Sequence, residues 1–160
     1  MAFEVARQLE EAGVGHALVD MDELDRIFPD PPGDSQKTHL TRQNLAAVWA
    51  NLRDAGASRL ILTMVATYPD HELPHIREAV QGSFITLVRL HATEEVLLER
   101  VRRREVGSGL EHHIGRTVEQ TRLMARQSTE GLLTVDTSRQ PVAEIAREIL
   151  VRTGWAGRSD

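Results

Sequence analysis

His16-Ala-Leu-Val-Asp-Met-Asp22 is a short apolar run that closes on two carboxylates. Its length suits a buried strand, and Asp20 marks the carboxyl end. Before it, residues 2–12 place Phe3, Ala6 and Leu9 near one face, with Glu and Arg opposite. That spacing predicts a helix, stopped by Gly13 and Gly15. After it, residues 21–28 read as a short helix, and Pro29, Pro31, Pro32, Gly33 and Asp34 as a loop. Thr38 or Thr41 suits the cap of a long helix through Ala55, with Leu45, Val48, Trp49 and Leu52 on its apolar face.

The same alternation continues to the end. Residues 59–66 and 84–90 read as buried strands, joined by a turn at Tyr68-Pro-Asp70 and a helix ending near Gly82. Thr93 caps a charged helix to about Glu105, residues 106–109 break it, and residues 110–126 are helical again. Residues 132–135 form a fourth strand ending in Asp136, and Pro141 opens a last helix to about Arg152. Strands that are apolar on consecutive positions, alternating with helices, predict a parallel sheet covered on both faces. Such a sheet binds ligands at the carboxyl ends of its strands. Here those ends are Asp20 with Asp22, residues 65–69, 90–93 and 136–139.

Composition narrows the class. The chain has 160 residues, enough for one domain. There is no cysteine, which excludes disulfides and thiolate chemistry within it. A formal charge of −5 and 4% aromatic residues weigh against nucleic-acid binding. No apolar run approaches the roughly 20 residues of a membrane helix. The first residues carry Glu4, Arg7, Glu10 and Glu11 with no apolar block, so no secretory signal is expected and a cytoplasmic location is. Of 19 basic residues, Lys37 is the single lysine.

Three constellations carry candidate chemistry. Asp20 and Asp22 at a strand end suit a hydrated Mg²⁺ and a proton-accepting base. Arg26, four residues on, suits an anionic group of a substrate. The plainer reading of Asp20 is a helix cap. Arg100, Arg102, Arg103 and Arg104 precede the break at 106–109, which suits a cationic, movable flap. The plainer reading is a solvated face on which Glu99 pairs with Arg103. His71-Glu-Leu-Pro-His75 has the spacing of a zinc-hydrolase helix, with His91, His112 or His113 as third ligand. Pro74 inside the motif speaks against it, and Asp70 is expected to cap a first helical turn instead. Gly33-Asp-Ser-Gln-Lys-Thr38 imitates part of a phosphate loop, but Pro31 and Gln36 stand where glycines would be required.

The order of elements resembles the P-loop small-molecule kinases, the group of shikimate, gluconate and adenylylsulfate kinases. Asp20-x-Asp22 is similar to the Asp-x-Asp after their second strand. Asp22 with Arg26 loosely resembles the Asp-Asn-x-x-Arg region of the adenylylsulfate kinases. Residues 90–105 resemble the strand and helix leading into their lid, and Val135-Asp-Thr-Ser138 before Pro141 resembles their last strand and helix. The resemblance covers about residues 2–153 and implies one P-loop NTPase-like three-layer α/β domain over residues 1–160, with a lid at about 100–116. It implies ATP and Mg²⁺ as cofactors and phosphoryl transfer to a small hydroxylated molecule. Asp22 would be the base, Asp20 a Mg²⁺ or substrate ligand, and Arg26 a substrate clamp. Arg103 or Arg104 would stabilise the transferring phosphoryl. Arg100, Arg116, Ser138 and Arg139 would lie toward the nucleotide.

The family's opening strand and its GxxGxGKS/T loop have no counterpart before residues 2–12, which resemble the helix that follows them. The expectation is an N-terminally incomplete domain whose true start lies upstream, or one that needs a partner chain to supply the strand. In the family's strand order the absent strand is central, so two strand pairs with unpaired inner edges are expected. Catalysis by the chain as written is expected to be impaired. The alternative is a catalytically inactive kinase-like module that binds a nucleotide or a protein.

Overall fold

A computed structural model describes residues 1–104, 110–127 and 129–156, with the side chains of 104 and 110–113 left out. The described residues form a mixed α/β arrangement of six helices and four short strands. In chain order these are α1 (Ala2–Glu11), β1 (His16–Asp20), α2 (Thr38–Asp54), β2 (Arg59–Thr63), α3 (Pro69–Ala79), β3 (Val88–His91), α4 (Glu94–Arg104), α5 (Leu110–Arg126), β4 (Leu133–Asp136) and α6 (Val142–Arg152). A 3-10 turn, Met21–Glu23, follows β1.

The strands form two parallel pairs. β1 pairs with β2 from His16↔Arg59 to Asp20↔Thr63, and β3 pairs with β4 from Val88↔Leu133 to His91↔Asp136. The two sheets share no ladder. Two apolar clusters cover them. Val5 and Leu9 of α1 pack with Val135 of β4 and Ile145, Ala146, Ile149 and Leu150 of α6; Ile61 and Val88 touch this cluster from β2 and β3. Leu45 and Trp49 of α2 pack with Ile76 of α3 and with Val80, and Leu60, Leu62 and Ile85 join them. Leu60 and Leu62 therefore face one cluster and Ile61 the other, as the two-residue period of a strand requires. Leu9, Leu45 and Ile145 are almost wholly buried. Truncating any of them to Ala costs about 2–5 kcal/mol.

Several boundaries differ from the sequence reading. The third strand is expected over residues 84–90, but β3 begins at Val88 and Phe84 is 93% exposed. The expected helix over residues 21–28 shrinks to the 3-10 turn. Neither Thr38 nor Thr41 caps α2; the N-cap is Lys37, and Asp34 does the capping from outside, its Oδ2 accepting from the Leu40 N–H at 3.0 Å. Two near-consecutive turns let a short acidic side chain reach back to the helix, which spacing along the chain does not reveal. β2 is apolar enough for burial on both faces, yet all five residues are half-buried. The physical reason is its single neighbour: β2 is an edge strand.

Candidate functional site

The carboxyl end of β1 carries two carboxylates, Asp20 and Asp22, that no described basic side chain neutralises. Asp20 caps the 3-10 turn, its Oδ1 accepting from the Asp22 N–H at 3.1 Å. The capping reading of Asp20 is therefore realised, and its second oxygen stays clear of that bond. Asp22 is exposed, and no described group bonds its carboxylate. Arg26 does not reach it: its guanidinium pairs with Glu23 at 2.8 Å on the exposed side of the turn. The one-turn spacing of Asp22 and Arg26 acts only on a helix, and the helix ends at Glu23.

Two contacts fix this turn to α2. Asn44 Nδ2 donates to the Leu24 carbonyl at 2.6 Å, and Thr41 Oγ1 donates to Asp25 Oδ2 at 3.1 Å. Asn44 escapes a sequence reading, since it belongs to no motif, and Thr41, expected as a cap of α2, holds this turn instead; the available signal is polar residues on the first turns of a helix that must pack beside a loop. The following loop is closed by Lys37, which sits at φ 55° and pairs with Asp30 at 3.2 Å. The chain's one lysine is thus engaged within its own loop. The Leu40 N–H holds the Asp34 carboxyl below its usual range.

The far rim, at the ends of β3 and β4, is built from hydrogen bonds. Thr137 is 5% exposed and donates to the His91 carbonyl from its N–H (2.7 Å) and its hydroxyl (3.0 Å). Arg100 donates to Thr137 Oγ1 at 2.9 Å and to its carbonyl at 2.5 Å. Asp136 Oδ1 accepts from the Ser138 N–H (2.9 Å) and hydroxyl (2.6 Å), which hold this carboxyl below its ordinary range. Ser138 Oγ in turn accepts from the Thr93 N–H at 3.1 Å. Arg100 and Ser138, expected beside a nucleotide, are therefore occupied in joining α4 to β4. Arg139 is exposed beside Asp136.

Arg103 lies on a solvated face, 3.8 Å from Glu99 with its side chain 81% exposed. Arg116 on α5 is exposed. The Arg104 side chain and the break at 106–109, the middle of the expected lid, lie outside the described residues.

The His71–His75 stretch forms the start of α3. Pro69 stands at its first position and no side chain caps it; Asp70 instead accepts a hydrogen bond from Thr129 at 3.3 Å. Burial pushes the Glu72 carboxyl above its ordinary range, and its Oε2 has no described partner. His71, His75 and His91 are exposed, while the His112 and His113 side chains lie outside the described residues. Among the described residues no three His, Asp or Glu side chains are placed to hold a metal together.

Mg²⁺ needs only one or two protein carboxylates, since it keeps several waters and shares substrate phosphates. Asp20 and Asp22 suit that role. A nucleotide's phosphates need a row of convergent backbone N–H groups at a helix start. The Gly33 loop does not supply it, since it contains Pro31 and Lys37 is turned to Asp30. No protein-family model matches this chain, and no curated protein matches its sequence.

Proposed function

We propose that this chain carries the acceptor side of a P-loop small-molecule kinase, and that its reaction is ATP-dependent phosphoryl transfer to a small hydroxylated molecule. The observation that carries the reading is the exposed, unneutralised pair Asp20 and Asp22 at the carboxyl end of a parallel strand, where α/β folds bind ligands. Asp22 accepts the proton of the acceptor hydroxyl as it attacks. Asp20, anchored by its own turn, orients Asp22 and offers its second oxygen to a hydrated Mg²⁺ or a substrate hydroxyl. Arg26 leaves Glu23 to bind an anionic part of the substrate, an exchange between two exposed partners that costs little. Arg103 and Arg116, both exposed, are available to a transferring phosphoryl group. Arg104 belongs to the same reading by sequence. Magnesium, when bound, neutralises phosphate charge.

The phosphate-holding loop is not among these residues. The test uses radiolabelled ATP and a panel of sugars, amino sugars and nucleosides. It compares the 160-residue chain with the same chain extended at its amino end by an apolar strand and a GxxxxGKS loop. The expected result is no transfer by the first and transfer by the second, with Asp22→Asn lowering the rate by about 10²-fold or more. Transfer indifferent to Asp22→Asn overturns the assignment. Stoichiometric zinc, lost on His71→Ala, would replace it with a metal hydrolase.

A further inference from the structure

We infer that the groove at the amino ends of β3 and β4 is a self-association face. Two copies of this chain meet there about a two-fold axis, and the Phe84 ring of each enters the groove of the other. The face shares no residue with the candidate site, and the inference does not need the kinase reading.

The first observation is the groove itself. α3 contributes Leu73 and Arg77, the segment ahead of β3 contributes Phe84 and Leu87, and the turn into β4 contributes Glu130 and Leu133. The three leucines give it apolar surface. Its volume is about 380 Å³. A cavity of roughly 150 Å³ already holds a benzene-sized ring, so one phenyl side chain fits.

The second is that the chain's own ring does not fill it. Phe84 borders the groove and is 93% exposed. The cause is local. Gly82, at φ 78°, turns the chain after α3, and Ser83 N–H closes that turn on the Val80 carbonyl. The bonds to β4 begin only at the Leu87 carbonyl. Phe84 sits on the span between, where no described backbone hydrogen bond draws it inward.

The third is charge. Arg77 and Glu130 line the same groove with opposite signs, and neither has a described ion pair. In a two-fold contact residue i of one copy meets residue j of the other, and j meets i. A surface that carries a projecting ring, an unfilled groove and one charge of each sign is complementary to itself under that operation. Phe84 fills the groove twice, and Arg77 of one copy meets Glu130 of the other twice. The contact closes at two copies.

The same charges disfavour a small anion as the occupant. Arg152 also lines the groove, but its Nη1 already donates to the Thr134 carbonyl at 2.7 Å and to Glu148 at 3.0 Å. That leaves Arg77, with the Glu130 carboxylate lining the same groove. The chain as a whole carries a formal charge of −5, which opposes its own association; this face, with Arg77 and Arg152 against Glu130, is one place where that repulsion is relieved. The lining residues are fewer than the roughly 20–30 a side of a standard interface. The dimer is therefore weak, with a Kd on the order of 10–100 µM.

The experiment is sedimentation velocity on the 160-residue chain, over a series from about 5 to 500 µM that brackets the expected Kd. A monomer–dimer equilibrium is expected. Phe84→Ser should raise the Kd at least about tenfold and leave the urea transition unchanged, because the ring is exposed in the single chain. Arg77→Glu and Glu130→Arg should each weaken association, since each sets like charges against one another across the axis. Mixed in equal amounts, these two variants should recover it, because both cross-axis pairs are then of opposite sign. A monomer at every concentration overturns the inference. So do a dimer indifferent to Phe84→Ser, a mixture that associates no better than either charge variant alone, and growth beyond two copies, which a closed two-fold contact forbids. Phosphoryl transfer is not read, so failure here and failure of the kinase reading are separate results.

Discussion

Two strand ends in this molecule begin with the same device and finish differently. At β1, Asp20 accepts the backbone N–H two residues ahead; at β4, Asp136 does the same. Beyond that first bond the turns diverge. The β4 turn continues into Thr137, which is buried and held by His91 and Arg100, and into Ser138, which is held by Thr93. The β1 turn continues into Asp22, which is exposed and has no described partner. One Asx turn is a junction between elements. The other is a platform that presents a carboxylate. An aspartate at the end of a strand therefore says little about role until the fate of the next two residues is known.

The largest expected effect separates the two ends by exchanging their amides. In the loop-bearing chain, Asp22→Asn should lower phosphoryl transfer by about 10²-fold or more and leave the unfolding free energy from urea titration within about 0.5 kcal/mol. Asp136→Asn should do the reverse, shifting stability more than turnover. A turnover loss at Asp136 equal to that at Asp22 would break the distinction between junction and platform.

Thr137→Val comes next. It keeps the side chain's shape and removes a buried hydroxyl that both accepts from Arg100 and donates to His91. Leaving those partners unmade costs about 1–3 kcal/mol, read as a lowered urea midpoint at unchanged slope. The corresponding polar deletion at the other end, Asp20→Ala, removes one cap bond near the surface and should cost about 1 kcal/mol.

The two ends also differ in how much of them the sequence exposes. The alternation of strands and helices and the carboxylates at the end of β1 are legible, because period and composition encode them locally; the two separate parallel couples follow only from the resemblance in strand order. The junction at β4 is not. Arg100 reads as one of four neighbouring arginines, and only the three-dimensional approach of α4 to Thr137 sets it apart. Thr137 itself looks like a loop threonine, yet it is the one buried polar residue among those described. The same holds for Asp34, whose cap on Leu40 crosses six positions, and for Asn44 and Thr41, which tie down a turn distant in sequence. Side-chain bonds between elements leave no periodic trace. The start of β3 is illegible for a related reason: residues 84–87 are as apolar as a strand, but strand state depends on a partner, and the partner β4 begins only at Leu133.

The smallest effect concerns acid. Ser138 lowers the Asp136 carboxyl in the folded chain, first through its hydroxyl and then through its N–H. A carboxylate with a depressed folded value stabilises the fold above its unfolded value, near 3.9, and loses that contribution as pH falls through the lower folded value. Stability should therefore decline below about pH 4. Asp34 and Glu4 act in the same direction, Glu4 because Arg7 and Gln8 hold it down at about 2. Removing one contributor should flatten the acid limb rather than abolish it. Ser138→Ala takes away the hydroxyl and keeps the N–H, so the limb should become shallower only below about pH 4, with a matching small loss at neutral pH. At the other end Arg26→Ala should alter neither limb nor midpoint, since its pair with Glu23 is exposed on both sides. An unchanged acid limb in Ser138→Ala would mean that the Asp136 turn is held by the backbone bond alone, and the contrast between the two strand ends would then rest on Thr137.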